Sequence, residues 1–156
     1  MKPMGTDTAP PPLIGALVRG PAEAVHLRIL REAHEAGFTD LVPAHLAVLR
    51  YPGPDGRRPS ELAAEVGMTK QAMNYLLGQL EQLGYIERRD DPEDSRSKRV
   101  HVTRRGAELR SVIRRAVTDI EHDLESELGA TAYAQLRKLL VRLNDTSTIR
   151  AERDSR

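Results

Sequence analysis

Between Ser60 and Thr103 four short patterns follow one another almost without linkers, and that crowding leaves few folds open. SELAAEV reads as a short helix. Gly67 and Met68 turn the chain, and Thr69 is a good N-cap for the next helix. In that helix Met73, Leu76, Leu77, Leu80 and Leu83 form one apolar stripe, which ends at Gly84. YIERR and KRVHVT then alternate in part as strands, with Tyr85, Ile86, Val100 and Val102 as the apolar positions. DDPEDSRS between them is a turn-rich tip, so the strands make a hairpin. The cap of the first helix has two readings. Ser60 suits the role, but Pro59 at the first helical position would move it to Arg58, a poor capper.

Helix, short turn, helix and hairpin, in that order, make a winged helix-turn-helix. Ala63 and Ala64 are small enough to let two helices cross closely, and the turn at Gly67 projects the second helix outward. With the apolar stripe inward, Gln71, Asn74, Tyr75, Gly78 and Gln82 face out, and Lys70 stands at the exposed first turn. A DNA-reading helix presents its N-terminal residues to base edges, here Lys70, Gln71 and Asn74. So neutral a helix can still read DNA. An amide that bonds an adenine edge in bidentate fashion gives roughly 1–3 kcal/mol of discrimination. Phosphate attraction then comes from elsewhere: Arg96, Lys98 and Arg99 on the hairpin, and backbone amides at helix N-termini.

The flanks are helical, so the fold class is mainly α (α+β). Residues 1–12 are rich in Pro, Thr and Gly and are expected to be disordered. Residues 13–37 are assigned to dimerisation helices: an apolar patch Leu13–Val18 forms a short helix before Gly20-Pro21, and a second helix runs Ala22–Ala36. The DNA-binding core takes residues 38–105. Its first helix starts at Pro43 and continues through Leu46, Val48, Leu49 and Tyr51 to Pro52-Gly53; the loop Pro52–Pro59 ends in a short strand. Residues 106–145 hold a long helix capped by Thr103 and reaching about Leu128, with a seam of Leu109, Ile113, Ala116, Ile120 and Leu124. A last helix there carries Tyr133, Leu136, Leu139, Leu140 and Leu143. Residues 146–156 are a polar, frayed tail.

With one Phe and no Trp, the chain has little to fill a core of its own. Leu13, Ile14, Leu17, Val18, Leu136, Leu140 and Leu143 are therefore assigned to an interface shared by a homodimer. Two reading helices would meet successive major grooves, on a pseudo-palindromic site with half-site centres about 10 bp apart.

Charge and residue types exclude other functions. The net charge of +1 makes no case for a polyanion, but its distribution is uneven: eight bases against one acid from Arg96 to Arg115, then five acids and no Lys or Arg from Asp119 to Glu127. The absence of cysteine removes disulfides and thiolate chemistry. There is no apolar run of about 18 residues and no signal-peptide pattern, so the chain reads as soluble and cytoplasmic, with no membrane partner. The five histidines lack metal-pair spacing, and no HExxH or phosphate loop is present; neither a metal, a cofactor nor a catalytic residue is assigned. Only a zinc gathered from distant His and Glu side chains would escape such a reading.

The stretch SELAAEVGMTKQAMNYLLGQLEQLGYIERRDDPEDSRSKRVHVTRRG resembles the winged-helix core of the MarR family of bacterial transcription regulators. The most specific part is DPEDSRSKRVHVTRRG, with Asp94, Arg96, Val100, Val102, Thr103 and Gly106 on the family's pattern. The resemblance implies an intertwined homodimer that binds double-stranded DNA, most often as a repressor. The wing tip would enter the minor groove with Arg96, and Asp94 would orient the wing by ion pairing. The residues so assigned to DNA are Ser60, Thr69, Lys70, Gln71, Asn74, Tyr75, Gln79, Ser95, Arg96, Ser97 and Lys98. Many members carry Arg or Lys at the places of Tyr75 and Gln79, so their readout does not carry over, and Tyr75 is read as packing on a sugar or a thymine methyl. The family's small aromatic or phenolic effectors imply a cleft bordered by His26, Leu30, His45, Leu49 and Tyr75. The alternative is a winged helix used only as a protein-docking module, whose exposed helix face would be acidic or apolar.

Overall fold

A computed structural model describes residues 13–49 and 56–154. The N-terminal stretch 1–12, Tyr51 and the Pro52-Gly53 stop lie outside the described residues. The elements are α1 Ile14–Glu35, α2 Pro43–Leu49, α3 Pro59–Val66, α4 Lys70–Gln82, β1 Ile86–Asp91, β2 Asp94–Val102, α5 Arg104–Leu128, α6 Ala130–Asn144 and α7 Ser147–Asp154. The winged helix-turn-helix expected from the sequence is present, between long flanking helices.

Its core gathers Leu41 before α2, Val48 and Leu49 of α2, Leu62 and Ala63 of α3, and Met73, Leu77 and Leu80 of α4. Beside them lie Tyr85, Ile86 and Val100 of the hairpin region and Leu109 of α5. A smaller cluster of Ile29, Leu46, Ala116 and Ile120 joins α1 to α5, and Leu30 and Ile113 bridge the two clusters. Deep apolar burial at about 25 cal/mol per Å² is what holds the helices in place. Ala63 is buried at the helix crossing, whereas Ala64 is exposed and plays no part in it.

The Thr103–Gly106 turn has a steric reason. Thr103 donates its hydroxyl to the Gly84 carbonyl at 2.6 Å and caps α5 by accepting from Gly106 N at 3.2 Å. That brings Gly106 against the hairpin, where a Cβ would lie 2.1 Å from the Tyr85 carbonyl oxygen. Only glycine fits there.

The structure alters four expectations and settles the open one, the cap of α3. Leu13–Val18 and Ala22–Ala36 are not separate elements, since α1 runs through Pro21. Proline deletes its own backbone donor and crowds the carbonyl four residues earlier, but the helix on either side retains its remaining bonds. The cap of α3 is Arg58, with Pro59 in the first turn, so Ser60 lies inside the helix; Glu61 compensates by accepting from Arg58 N at 3.2 Å. Strand pairing extends far into DDPEDSRS, leaving only Pro92 and Glu93 between β1 and β2, while Tyr85 lies outside the strands. Residues 147–154, expected to fray, form α7. The short strand at the end of the 52–59 loop is a single bridge, Arg57 with Val100.

Candidate nucleic-acid interface on the second helix and the wing

Thr69 caps α4 through a 3.1 Å bond from Ala72 N, which fixes where the helix begins. Met73, Leu76, Leu77 and Leu80 then face the core, and Lys70, Gln71, Asn74, Tyr75 and Gln82 face out. Gly78 and Gln79 are half-buried at the edge of that face. The outward residues are not equally free. Lys70 and Gln71 have no side-chain partner among the described residues. Asn74 donates its amide to the Lys70 carbonyl at 3.0 Å, so a bidentate contact with adenine requires that bond to open. Gln79 uses both ends of its amide: its oxygen lies 3.1 Å from His45 Nε2, and its nitrogen donates to the Tyr75 hydroxyl at 3.1 Å.

The wing is organised by an acid that the sequence reading did not single out. Asp91 is 2% exposed. One of its oxygens accepts from Glu93 N at 3.0 Å and lies 3.0 Å from Arg99 Nε. The other accepts from Arg58 Nε at 2.6 Å and from the Ser97 hydroxyl at 3.2 Å. Burial alone would raise its pKa; the Glu93 amide, Arg58, Arg99 and Ser97 together hold it well below the usual carboxylate range. Arg58, too poor a capper to explain from the helix alone, is thus the tie between α3 and the wing.

That network redistributes the expected roles. Asp94, read as an ion-pairing residue, instead accepts from Arg96 N at 3.0 Å and turns the backbone locally. Arg99, read as a phosphate contact, is held by Asp91 and by Glu93 at 2.8 Å. Ser97 gives its hydroxyl inward, and Lys98 pairs with Asp90 at 2.6 Å. The pairing register jumps between Asp90–Lys98 and Asp91–Asp94, so residues 95–97 bulge from the strand. Arg96 is exposed on that bulge, and its guanidinium has no partner among the described residues. The Ser95 side chain lies outside the described residues, and Ser60 is exposed in the first turn of α3.

A second tie locks the base of the wing. Tyr85 donates its hydroxyl to Asp40, Arg105 bonds Asp40 at 2.7 Å and lies over the Tyr85 ring at 4.5 Å. Burial first, and the Asp40 carboxylate second, push the Tyr85 pKa up to about 12. Part of the basic run is therefore structural: Arg105 belongs to this tie, and Arg104 pairs with Glu108 at 3.1 Å. In the acidic run, Glu121 pairs with Arg137 of α6 at 2.6 Å and Asp123 with Arg28 of α1 at 2.7 Å.

The sequence profile of the MarR family matches residues 39–97, which span α2 to the wing bulge. Over that segment the chain is similar to the MarR family. Among its relatives, the HTH-type transcriptional regulator BilQ of Clostridioides difficile is 29% identical over 89 residues, 57% of this chain and 60% of BilQ. The transcriptional repressor MprA of Escherichia coli K12 is 33% identical over 91 residues, 56% of this chain and 52% of MprA. The chain thus spans little more than half the length of these curated relatives. A crystal structure of MarR superimposes with a TM-score of 0.67 at 29% identity, covering 85% of this chain and 95% of that one.

Of the residues that the MarR resemblance placed at an effector cleft, His26 is exposed, Leu30 half-buried, and His45 and Leu49 buried at 3% and 1% exposure. Leu49 packs in the core and lines no open surface. His45 and Tyr75 are brought together, but through Gln79 and on different helices. No helix among the described residues is long and apolar enough to cross a membrane.

Proposed function

We propose that this chain is a regulator of the MarR type, a sequence-specific double-stranded DNA-binding protein that acts as a homodimer, most simply a repressor. The observation that carries it is a division of labour between α4 and the hairpin packed beside it. The exposed start of α4 offers Lys70 and the uncommitted amide of Gln71, while the adjoining wing, built on buried Asp91, holds out Arg96. Base edges are read by the first group, and phosphates are gripped by the second.

The homodimer is supported by apolar surface that the single chain leaves uncovered. Leu13, Ile14, Leu17 and Val18 of the α1 end are 40–81% exposed, and Leu136, Leu139, Leu140 and Val141 of α6 are 40–63% exposed. None of α6 is buried. Patches of this kind mark protein interfaces. Ile14, Leu17 and Val18 share one side of a helix, as Leu136, Leu139 and Leu140 do, which suits helices laid together across a twofold axis. An aromatic or phenolic acid that relieves binding would enter past His26 and Leu30 and act on His45, the residue joined to α4 through Gln79.

The test is a gel shift of the full chain against genomic fragments, with and without unrelated competitor duplex. Retarded bands that survive competitor support the reading. Loss of every band at low ionic strength would leave a docking module as the better account.

A further inference from the structure

One line of hydrogen bonds runs from the start of α2 to the outward face of α4. Val42 N lies 3.3 Å from His45 Nδ1, His45 Nε2 lies 3.1 Å from Gln79 Oε1, and Gln79 Nε2 lies 3.1 Å from the Tyr75 hydroxyl oxygen. The line has a direction. A backbone N–H can only donate, so Nδ1 accepts, and the neutral ring carries its proton on Nε2. That proton goes to the oxygen of Gln79. The other end of the amide can then only donate, and the Tyr75 oxygen accepts from it. A phenol offers one in-plane position to a donor and the other to its own proton, so the Tyr75 O–H is turned away from Gln79. His45 is 3% exposed and water does not compete for its ring; Tyr75 is 67% exposed and free to meet a ligand.

We infer that Tyr75 is a DNA-contacting hydrogen-bond donor, aimed by His45 through Gln79, which recognises a group that only accepts. Phosphate oxygens qualify, as do the acceptor edge of guanine and the thymine O4; the amino groups of adenine and cytosine at that position are rejected. His45 and Gln79 are positioning residues. The inference rests on the DNA-binding reading and gives Tyr75 a polar role in place of packing on a sugar or a thymine methyl.

A double-mutant cycle on the full chain tests it, with affinities for the preferred duplex measured at one fixed salt concentration. Tyr75→Phe removes the O–H and keeps the ring. Gln79→Glu keeps the shape but replaces the donor by an acceptor, so Tyr75 turns its proton inward. Each change is expected to weaken binding about tenfold, and the double variant to bind about as weakly as either single one, because both delete the same outward proton. Additive losses, which repulsion between Glu and phosphate would give, overturn the inference. So does Tyr75→Phe binding like the unchanged chain, a result that stands even if Gln79→Glu fails to fold. Methylphosphonate linkages and single base-pair changes then separate the sources. With phosphate as acceptor, Tyr75→Phe weakens all duplexes alike, and one neutral linkage abolishes its effect. With a base as acceptor, its loss is confined to one base pair. An unchanged chain with no preference among duplexes brings down the DNA-binding reading and this inference together; preference retained with additive losses brings down this inference alone.

Discussion

Replacing Arg96 by alanine should change how binding depends on salt while leaving the fold intact. The Arg96 guanidinium is exposed on the bulge of β2 and has no partner among the described residues, so its removal breaks no internal contact. Its backbone N–H, which bonds Asp94 at 3.0 Å, is retained by alanine. Each phosphate neutralised releases counterions and contributes about 0.9 to the slope of log affinity against log salt. A dimer presents two wings, so Arg96→Ala should lower the slope by about 1.8. Between 50 and 200 mM salt the unchanged chain should then lose about tenfold more affinity than the variant does. The assay is fluorescence anisotropy of a labelled duplex across that range, with thermal melting to confirm an unchanged fold. Parallel slopes for the two proteins would refute the placement of Arg96 on phosphate.

Three further outcomes follow from the same contacts. Gln71→Ala should relax specificity at one base position by about 1–3 kcal/mol; Asn74→Ala should do less, since its amide is already committed to the Lys70 carbonyl, and selected-site profiles of both variants check the order. Asp91 has a depressed folded pKa, so its contribution to stability is complete above the unfolded carboxylate value of about 3.9 and is lost as pH falls through the folded value. Protection of the wing amides from hydrogen exchange, taken relative to the intrinsic rate at each pH, should therefore fall in strong acid in the natural chain, whereas Asp91→Asn should show a loosened wing already at neutral pH. Gly106→Ala should destabilise the chain by about 1–3 kcal/mol in urea unfolding, because the new methyl meets the Tyr85 carbonyl; a stability equal to the natural chain would contradict that packing.

Much of the fold could be read from the sequence because its signals are local. The Thr69 and Thr103 caps, the stripe Met73–Leu76–Leu77–Leu80 and the paired strands each depend on residues a few positions apart. What escaped depends on partners distant in the chain. Asp91 looked like one more acid in a turn; its importance comes from Arg58, 33 residues away, arriving at the same buried oxygen. Asp40 and Tyr85 are 45 residues apart and give no pattern to find. Arg99 and Lys98 read as cations for phosphate because sequence shows charge but not pairing; in the structure each also meets an acid of the hairpin. Pro21 suggested a break, yet α1 continues through it. The weak capping character of Arg58 is the one local anomaly that points to a tertiary role.

Selection of bound sites from a pool of random duplexes tests the central claim most directly. The account expects two inverted half-sites with centres about 10 bp apart, one for each copy of α4. It also expects their sequence to change when Gln71 is replaced and to stay the same, at lower affinity, when Arg96 is replaced. A pool with no enriched sequence, or one enriched for a single unrepeated half-site, would contradict it.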